Sequence, residues 1–189
     1  MAKVDVGTDK DEVSLTGNSG QGLIPMALIL AEAAGIHAGK QVVQTQTYGA
    51  ESRGGLCRAD VIIAEGEIDA LQVEHPDVLL VMSDAAANQY VAGLKAGGVL
   101  LVDSSEVRAF PTTRARTYQI PFTQLARERL GRTFYANIVA LGAIMEVAPL
   151  VSVEAARAVV LARALRGTED ANLAALELGR ELVYGASLA

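Results

Sequence analysis

The sequence predicts an α/β fold: a mainly parallel, doubly wound sheet with a helical C-terminal third. Three observations carry that reading. Continuous apolar runs, such as VLLVM at 78–82 and VLLV at 99–102, read as strands covered on both faces. These runs alternate with Ala- and Leu-rich segments at helical spacing, which implies parallel pairing through helical crossovers. From Asn137 onward the pattern is almost entirely helical.

Glu12–Thr16 (EVSLT) is the expected first strand, running into the glycine-rich turn GNSGQG at 17–22. Leu23–Ala34 follows as a helix. Pro25 falls in its first turn, where a missing N–H costs little, and Gly35 is its natural stop. Gln41–Thr45 (QVVQT) is the second strand and enters the loop TYGAESRGG at 47–55. Ala59–Ala64 is the third, and Ile68–Leu71 reads as one helical turn. Val78–Met82 is the fourth strand. Asp84 is the expected N-cap of a helix reaching Lys95, and Gly97 and Gly98 break it before a fifth strand, Val99–Val102. Thr117–Ile120 is a short sixth strand, and Pro121–Leu130 a helix with its proline at the start. The closing helices are read over Asn137–Val147, Val153–Leu165 and Glu169–Val183, with Asn137 and Asn172 as caps. No repeat, low-complexity tract or linker interrupts the pattern, so residues 1–189 are read as one domain.

Composition narrows the function. Hydrophobic residues make up 51% of the 189, enough for a substantial core. The formal net charge is −6 with no basic stripe, which argues against nucleic-acid binding. Arg108, Arg114 and Arg116 read as a solvated loop. The single cysteine, Cys57, forms no internal disulfide and cannot hold an iron–sulfur cluster, which takes about four thiolates. The start, MAKVDVGTDKDE, is unlike a signal peptide, and the apolar stretches break well before the ~18 residues of a membrane span. A cytoplasmic protein without membrane contact is expected.

Two stretches carry chemistry. GNSGQG has the spacing G-x-x-G-x-G, which matches neither the dinucleotide fingerprint G-x-G-x-x-G nor the P-loop, and no Lys follows it. A tight strand-to-helix connection explains it as well as anion binding by backbone N–H groups does. TYGAESRGG concentrates Tyr48, Glu51 and Arg53 among Gly49, Gly54 and Gly55, and a plain loop with an exposed Glu–Arg pair is the simpler alternative. Both stretches follow strands, at the edge where open α/β sheets place ligands. His37 and His75 have no ligand spacing and read as solvated. Asp103, with Ser104 and Ser105, either lines that edge or caps a turn. No Ser–His–Asp arrangement is present.

Taken together, GNSGQG, YGAESRGG and NIVALGA (137–143) resemble the gamma-type subunit, or equivalent domain, of 2-oxoacid:ferredoxin oxidoreductases. That family carries a GxGGQG turn after its first strand and a YG-x-E-x-RGG loop after its second. Ser19 stands where Gly is usual, a departure that a small residue fits. Asn172 with Glu177-Leu178-Gly179 matches as well, so the resemblance spans nearly the whole chain.

The resemblance implies CoA-dependent oxidative decarboxylation of a 2-oxoacid to acyl-CoA and CO2, with electrons passed to ferredoxin. Thiamine diphosphate, its magnesium and the iron–sulfur clusters are expected on partner subunits, since this chain has one cysteine and no GDG…N stretch. CoA is the co-substrate, and ferredoxin is met indirectly. The chain is expected to close the active site, to help bind CoA or substrate, and to be inactive alone. The implied rim residues are Gly20, Gln21, Gly22, Tyr48, Glu51, Arg53 and Gly54. The amides at 20–22 would meet a phosphate or carboxylate, and Arg53 would pair with an anion. Glu51 would orient Arg53 or hold a partner residue, and Tyr48 would pack on ligand or partner. A purely structural assembly subunit is the alternative. A free-standing nucleotide-binding protein is disfavoured by the glycine spacing and by VVQTQT, which lacks the acidic residue that would hold a ribose.

Overall fold

The computed structural model describes residues 10–48 and 55–185. Its strands are β1 (Lys10–Asn18), β2 (Gln41–Tyr48), β3 (Leu56–Ala64), β4 (Val78–Val81), β5 (Val99–Asp103) and β6 (Arg116–Ile120). Its helices are α1 (Leu23–Glu32), α2 (Asp84–Tyr90), α3 (Phe122–Leu130), α4 (Ala136–Val147), α5 (Val153–Arg163) and α6 (Glu169–Gly185). The strands form one sheet in the order β2-β3-β1-β4-β5-β6. The ladders β1–β4, β4–β5 and β5–β6 are parallel, as the apolar runs imply. β3 is antiparallel to both neighbours, β1 and β2, so the sheet is mixed at that end. Only the seven residues 49–55 separate β2 from β3, fewer than the dozen or so that a parallel crossover needs, so the chain returns antiparallel.

Alternation along the strands splits the core. Val13, Leu15, Val61, Leu80, Leu101 and Tyr118 point to one face, where α1 and α3 to α6 cover them. Leu79, Val81, Leu100 and Val102 point to the other, under α2. Every residue of α4 except Glu146 is buried. A helix apolar on all sides belongs inside, and α4 lies in the same core as the sheet, packed against α6. Gly142 and Gly179 let those two helices touch through their backbones. A Cβ on Gly142 would overlap the carbonyl of Leu176, and one on Gly179 the carbonyl of Val139.

Several local expectations are corrected. Residues 68–71 take no helical turn. The N-cap of α2 is Ser83, whose Oγ accepts from the Ala86 N–H at 3.3 Å. Asp84 is the first helical residue, and its Oδ1 accepts from the Arg108 N–H at 2.7 Å. Past Glu32 the first helix widens into a π-type turn over Ala33–His37. Asn172 lies inside α6, where its Nδ2 donates to Thr168 O at 2.9 Å. No helix among the described residues is long and apolar enough to cross a membrane.

Candidate functional site

The end of β1 and the turn into α1 contain three glycines, each required for a different reason. At Gly17 a Cβ would collide with the side-chain Oε1 of Gln21. At Gly22 a Cβ would collide with the carboxamide of Asn137, and the backbone is left-handed with φ 77°. Gly20 also needs a left-handed φ, 95°, but a Cβ there would meet nothing within 4 Å. Space over Gly17 and Gly22 is thus filled by carboxamides, and space over Gly20 is open.

Gln21 bridges two strand ends. Its Oε1 accepts from the Asn18 N–H at 2.6 Å, and its Nε2 donates to Met82 O, just past β4, at 2.7 Å. Its own N–H donates to Asn18 O at 3.2 Å. The expectation that the Gln21 amide would meet a ligand is therefore corrected: that N–H already has its acceptor. Gly20, Gly22, Leu23 and Ile24 keep N–H groups with no acceptor among the described residues. Pro25 adds none, and the first helical bond is Met26 N–H to Gly22 O at 3.2 Å.

Asn137 is the residue that sequence reasoning misjudged. It is 5% exposed and is the second residue of α4, so it does not cap that helix. Its Nδ2 donates to Gly22 O at 3.2 Å, while its Oδ1 accepts from the Ile138 N–H at 2.9 Å. A polar residue heading an otherwise apolar run, Ile138–Met145, was the available signal, because a buried amide demands partners.

The second stretch meets the first. The Ser19 N–H donates to Gly55 O at 2.9 Å, and the Ser19 Oγ donates to the same oxygen at 3.1 Å. In the ladders Asn18 faces Leu56 and Tyr48 faces Cys57, so the loop's two ends lie level with the end of β1. Glu51, Arg53 and Gly54 lie outside the described residues, as does the side chain of Tyr48. Cys57, beneath this rim, is 3% exposed, and burial pushes its thiol pKa up.

Asp103 does not serve the rim. It is fully buried. Its Oδ1 accepts from the Ser105 N–H at 3.1 Å and Oγ at 2.6 Å, and its Oδ2 from the Thr123 N–H at 3.0 Å and Oγ1 at 2.6 Å. It closes the turn after β5 and caps α3. Beside the glycine turn, a pocket of about 300 Å³ is lined by Pro25, Ile29, Phe134, Asn137, Val160 and Leu165, among others. Phe134 and Leu165 are exposed large apolar residues at that pocket. Among the described residues, no cluster of His, Cys, Asp or Glu has the makings of a metal site.

A family model described as pyruvate ferredoxin/flavodoxin oxidoreductase matches residues 12–182. The chain is 40% identical over 184 residues to the 2-oxoglutarate synthase subunit KorC of Methanothermobacter thermautotrophicus, covering 94% of this chain and 97% of that one. It superposes with a TM-score of 0.84 on the gamma subunit of a keto/oxoacid ferredoxin oxidoreductase from Geobacter sulfurreducens, at 41% identity over 93% of this chain and 99% of that one. The 2-oxoglutarate:ferredoxin oxidoreductase from Magnetococcus marinus shares the fold at a TM-score of 0.84 and 23% identity, and there 96% of this chain matches 32% of a longer one. The match of residues 12–182 and the near full-length likeness to KorC and to the Geobacter gamma subunit place the chain in the pyruvate ferredoxin/flavodoxin oxidoreductase family, as a gamma-type subunit of a 2-oxoacid:ferredoxin oxidoreductase.

Proposed function

We propose that the chain works inside a CoA-dependent 2-oxoacid:ferredoxin oxidoreductase, where its glycine turn and its 47–55 loop form one wall of the active site. The observation that supports this most is the pair of bonds from Ser19 to Gly55 O, which draws the base of the charged loop against a turn with open amides. In the proposed arrangement Gly20 and Gly22 offer N–H groups to a phosphate of CoA or a carboxylate of the oxoacid. Arg53 pairs with the same anion or its neighbour, because a guanidinium suits bidentate anion recognition. Glu51 orients that guanidinium, Tyr48 packs beside it, and Gly54 allows the loop its bend. None of these groups transfers a proton; they bind, orient and exclude water.

Decarboxylation and electron removal belong to partner subunits in this reading. One cysteine supplies one thiolate where a cluster takes about four, so the donor set here does not fit a cluster. Thiamine diphosphate with its magnesium, held by a partner, supplies the electron sink for loss of CO2. Iron–sulfur clusters, held by partners, would supply the path for electrons toward ferredoxin. The near full-length likeness to KorC supports 2-oxoglutarate as the oxoacid to test first.

A second reading makes this chain a structural subunit without ligand contacts, and the exposed Phe134 and Leu165 around the pocket favour it as a docking face. Two assays separate the readings. The chain reconstituted with its thiamine- and cluster-bearing partners should reduce a viologen dye with a 2-oxoacid plus CoA, and the chain alone should not. CoA titrated into the isolated chain should bind under the first reading and leave no signal under the second.

A further inference from the structure

We propose that Gln21 is a positioning residue of the enzyme: its carboxamide, tied at both ends inside the fold, sets the direction in which Gly20 and Gly22 present their N–H groups. The inference rests on the reading above, in which this rim faces the substrates.

The geometry is that of a cross-brace. The Gln21 side chain folds back over Gly17, where no Cβ could stand, and joins the end of β1 to the residue after β4. β1 and β4 are neighbouring parallel strands, and their carboxyl ends are where the chain turns toward helices. With no brace, a turn containing two left-handed glycines would sample many backbone angles. Gln21 removes that freedom from the β1 side, and Asn137, through Gly22 O, removes it from the α4 side. Between these two holds lies Gly20, exposed and with nothing within 4 Å of where its Cβ would be. Among the amides of residues 20–22, the one with an acceptor among the described residues is that of Gln21, the residue doing the bracing. A preorganised donor loses less on binding than one that must be ordered first.

A carboxamide is needed because the two contacts have opposite polarity. Asn18 offers an N–H, and Met82 offers a carbonyl oxygen. A carboxylate at this position keeps the first contact and turns the second into a repulsion between oxygens. A protonated carboxyl restores it, because its O–H can donate to Met82 O.

The test uses the assembled oxidoreductase carrying Gln21→Glu, Gln21→Met or Arg53→Ala, with CoA and 2-oxoglutarate as the varied substrates and each value taken relative to wild type. At neutral pH, Gln21→Glu and Gln21→Met are expected to raise KM for CoA about five- to tenfold with kcat within about twofold. Toward acid the rise should shrink for Gln21→Glu as its carboxyl takes up a proton, and persist for Gln21→Met. If Arg53→Ala raises KM while both Gln21 variants leave it unchanged, the positioning role is overturned and the site reading survives. If Arg53→Ala also changes nothing, the site reading falls and this inference with it. If both Gln21 variants fail to assemble, the side chain is a folding keystone and the positioning role is rejected.

Discussion

Gly142 and Gly179 face each other across the contact between α4 and α6, each lying against the other helix's backbone. Among the described residues those helices share the most extensive helix–helix contact, and α4 is buried almost throughout. A methyl group on either glycine would have to displace a carbonyl of the opposite helix, Leu176 or Val139. Backbone cannot yield as a flexible side chain does. Gly179→Ala is therefore expected to cost about 3 kcal/mol or more, measured by denaturant unfolding. A cost under ~1 kcal/mol would show that the helices can part without penalty.

Asp103 has no solvent exposure and four donors around its carboxylate, from Ser105 and Thr123. Asp103→Ala leaves the Thr123 N–H of α3 and the Ser105 N–H of the turn after β5 without their acceptor. A loss of about 2–3 kcal/mol is expected, with the rim's KM values unaffected. A rise in KM for CoA at full stability would return Asp103 to the ligand edge.

At the opposite end of β1 from the glycine turn, Lys95 Nζ stands 3.0 Å from Glu12 Oε2 and 3.0 Å from Asp77 Oδ1. Burial by itself would raise the Glu12 pKa and lower that of Lys95, but the ion pairs outweigh it: Lys95 and Lys10 bring Glu12 down, and Asp77 and Glu12 bring Lys95 up. Glu12 thus adds stability above its ordinary value of about 4.3, lost as pH falls through the lower folded value. Lys95 adds stability below about 10.4, lost as pH rises through the higher folded value. Both contributions are intact at neutral pH. Lys95→Met should cost about 1–2 kcal/mol there, allowing for its partial exposure, and should weaken the acid sensitivity; unfolding curves across pH test both.

Asp11, next to that cluster, has the opposite sign. Its Oδ1 is buried without a hydrogen-bond partner, and burial, ahead of the nearby charges, raises its pKa. A raised carboxylate pKa means that ionisation costs stability, a cost absent in acid and complete above the folded pKa. Asp11→Asn should stabilise the protein at neutral pH, with the gain vanishing in acid. Equal stability of the two proteins at neutral pH would contradict the assignment.

Cys57 is buried and its thiol is held protonated beyond the usual range, so a thiol reagent should modify it only through opening of the structure. Labelling at least ~100-fold slower in buffer than in denaturant is expected, followed by mass spectrometry. Fast labelling in buffer would mean that the start of β3 opens readily.

The sequence was most legible where one residue type decides the outcome locally. VLLVM and VLLV became β4 and β5 because a strand covered on both faces must be apolar throughout. Pro121 fell directly before α3, and the glycine pair at 97–98 preceded β5. The strand direction of β3 was not read, although the connection of seven residues, 49–55, is too short for a parallel crossover, because QVVQTQTY carries no hairpin turn signal. Ile68–Leu71 has helical composition but takes no helical turn. At the site, the glycines were visible and their reasons were not. That Gln21 fills the space over Gly17, and Asn137 the space over Gly22, depends on contacts 4 and 115 residues apart. Asn137 and Asn172 read as caps because Asn favours that role in isolation; instead a tertiary partner, Gly22 O, holds Asn137, and a local one, Thr168 O, holds Asn172.

The account turns on whether the rim formed by the glycine turn and the start of β3 faces the reaction. A structure of the assembled enzyme with CoA bound tests this most directly. The account predicts that Gly20 and Gly22 lie at the boundary with the thiamine-bearing subunit, with their N–H groups within hydrogen-bond reach of an anionic group of CoA or oxoacid. Finding that rim in open solvent, with CoA held entirely by other chains, would contradict it.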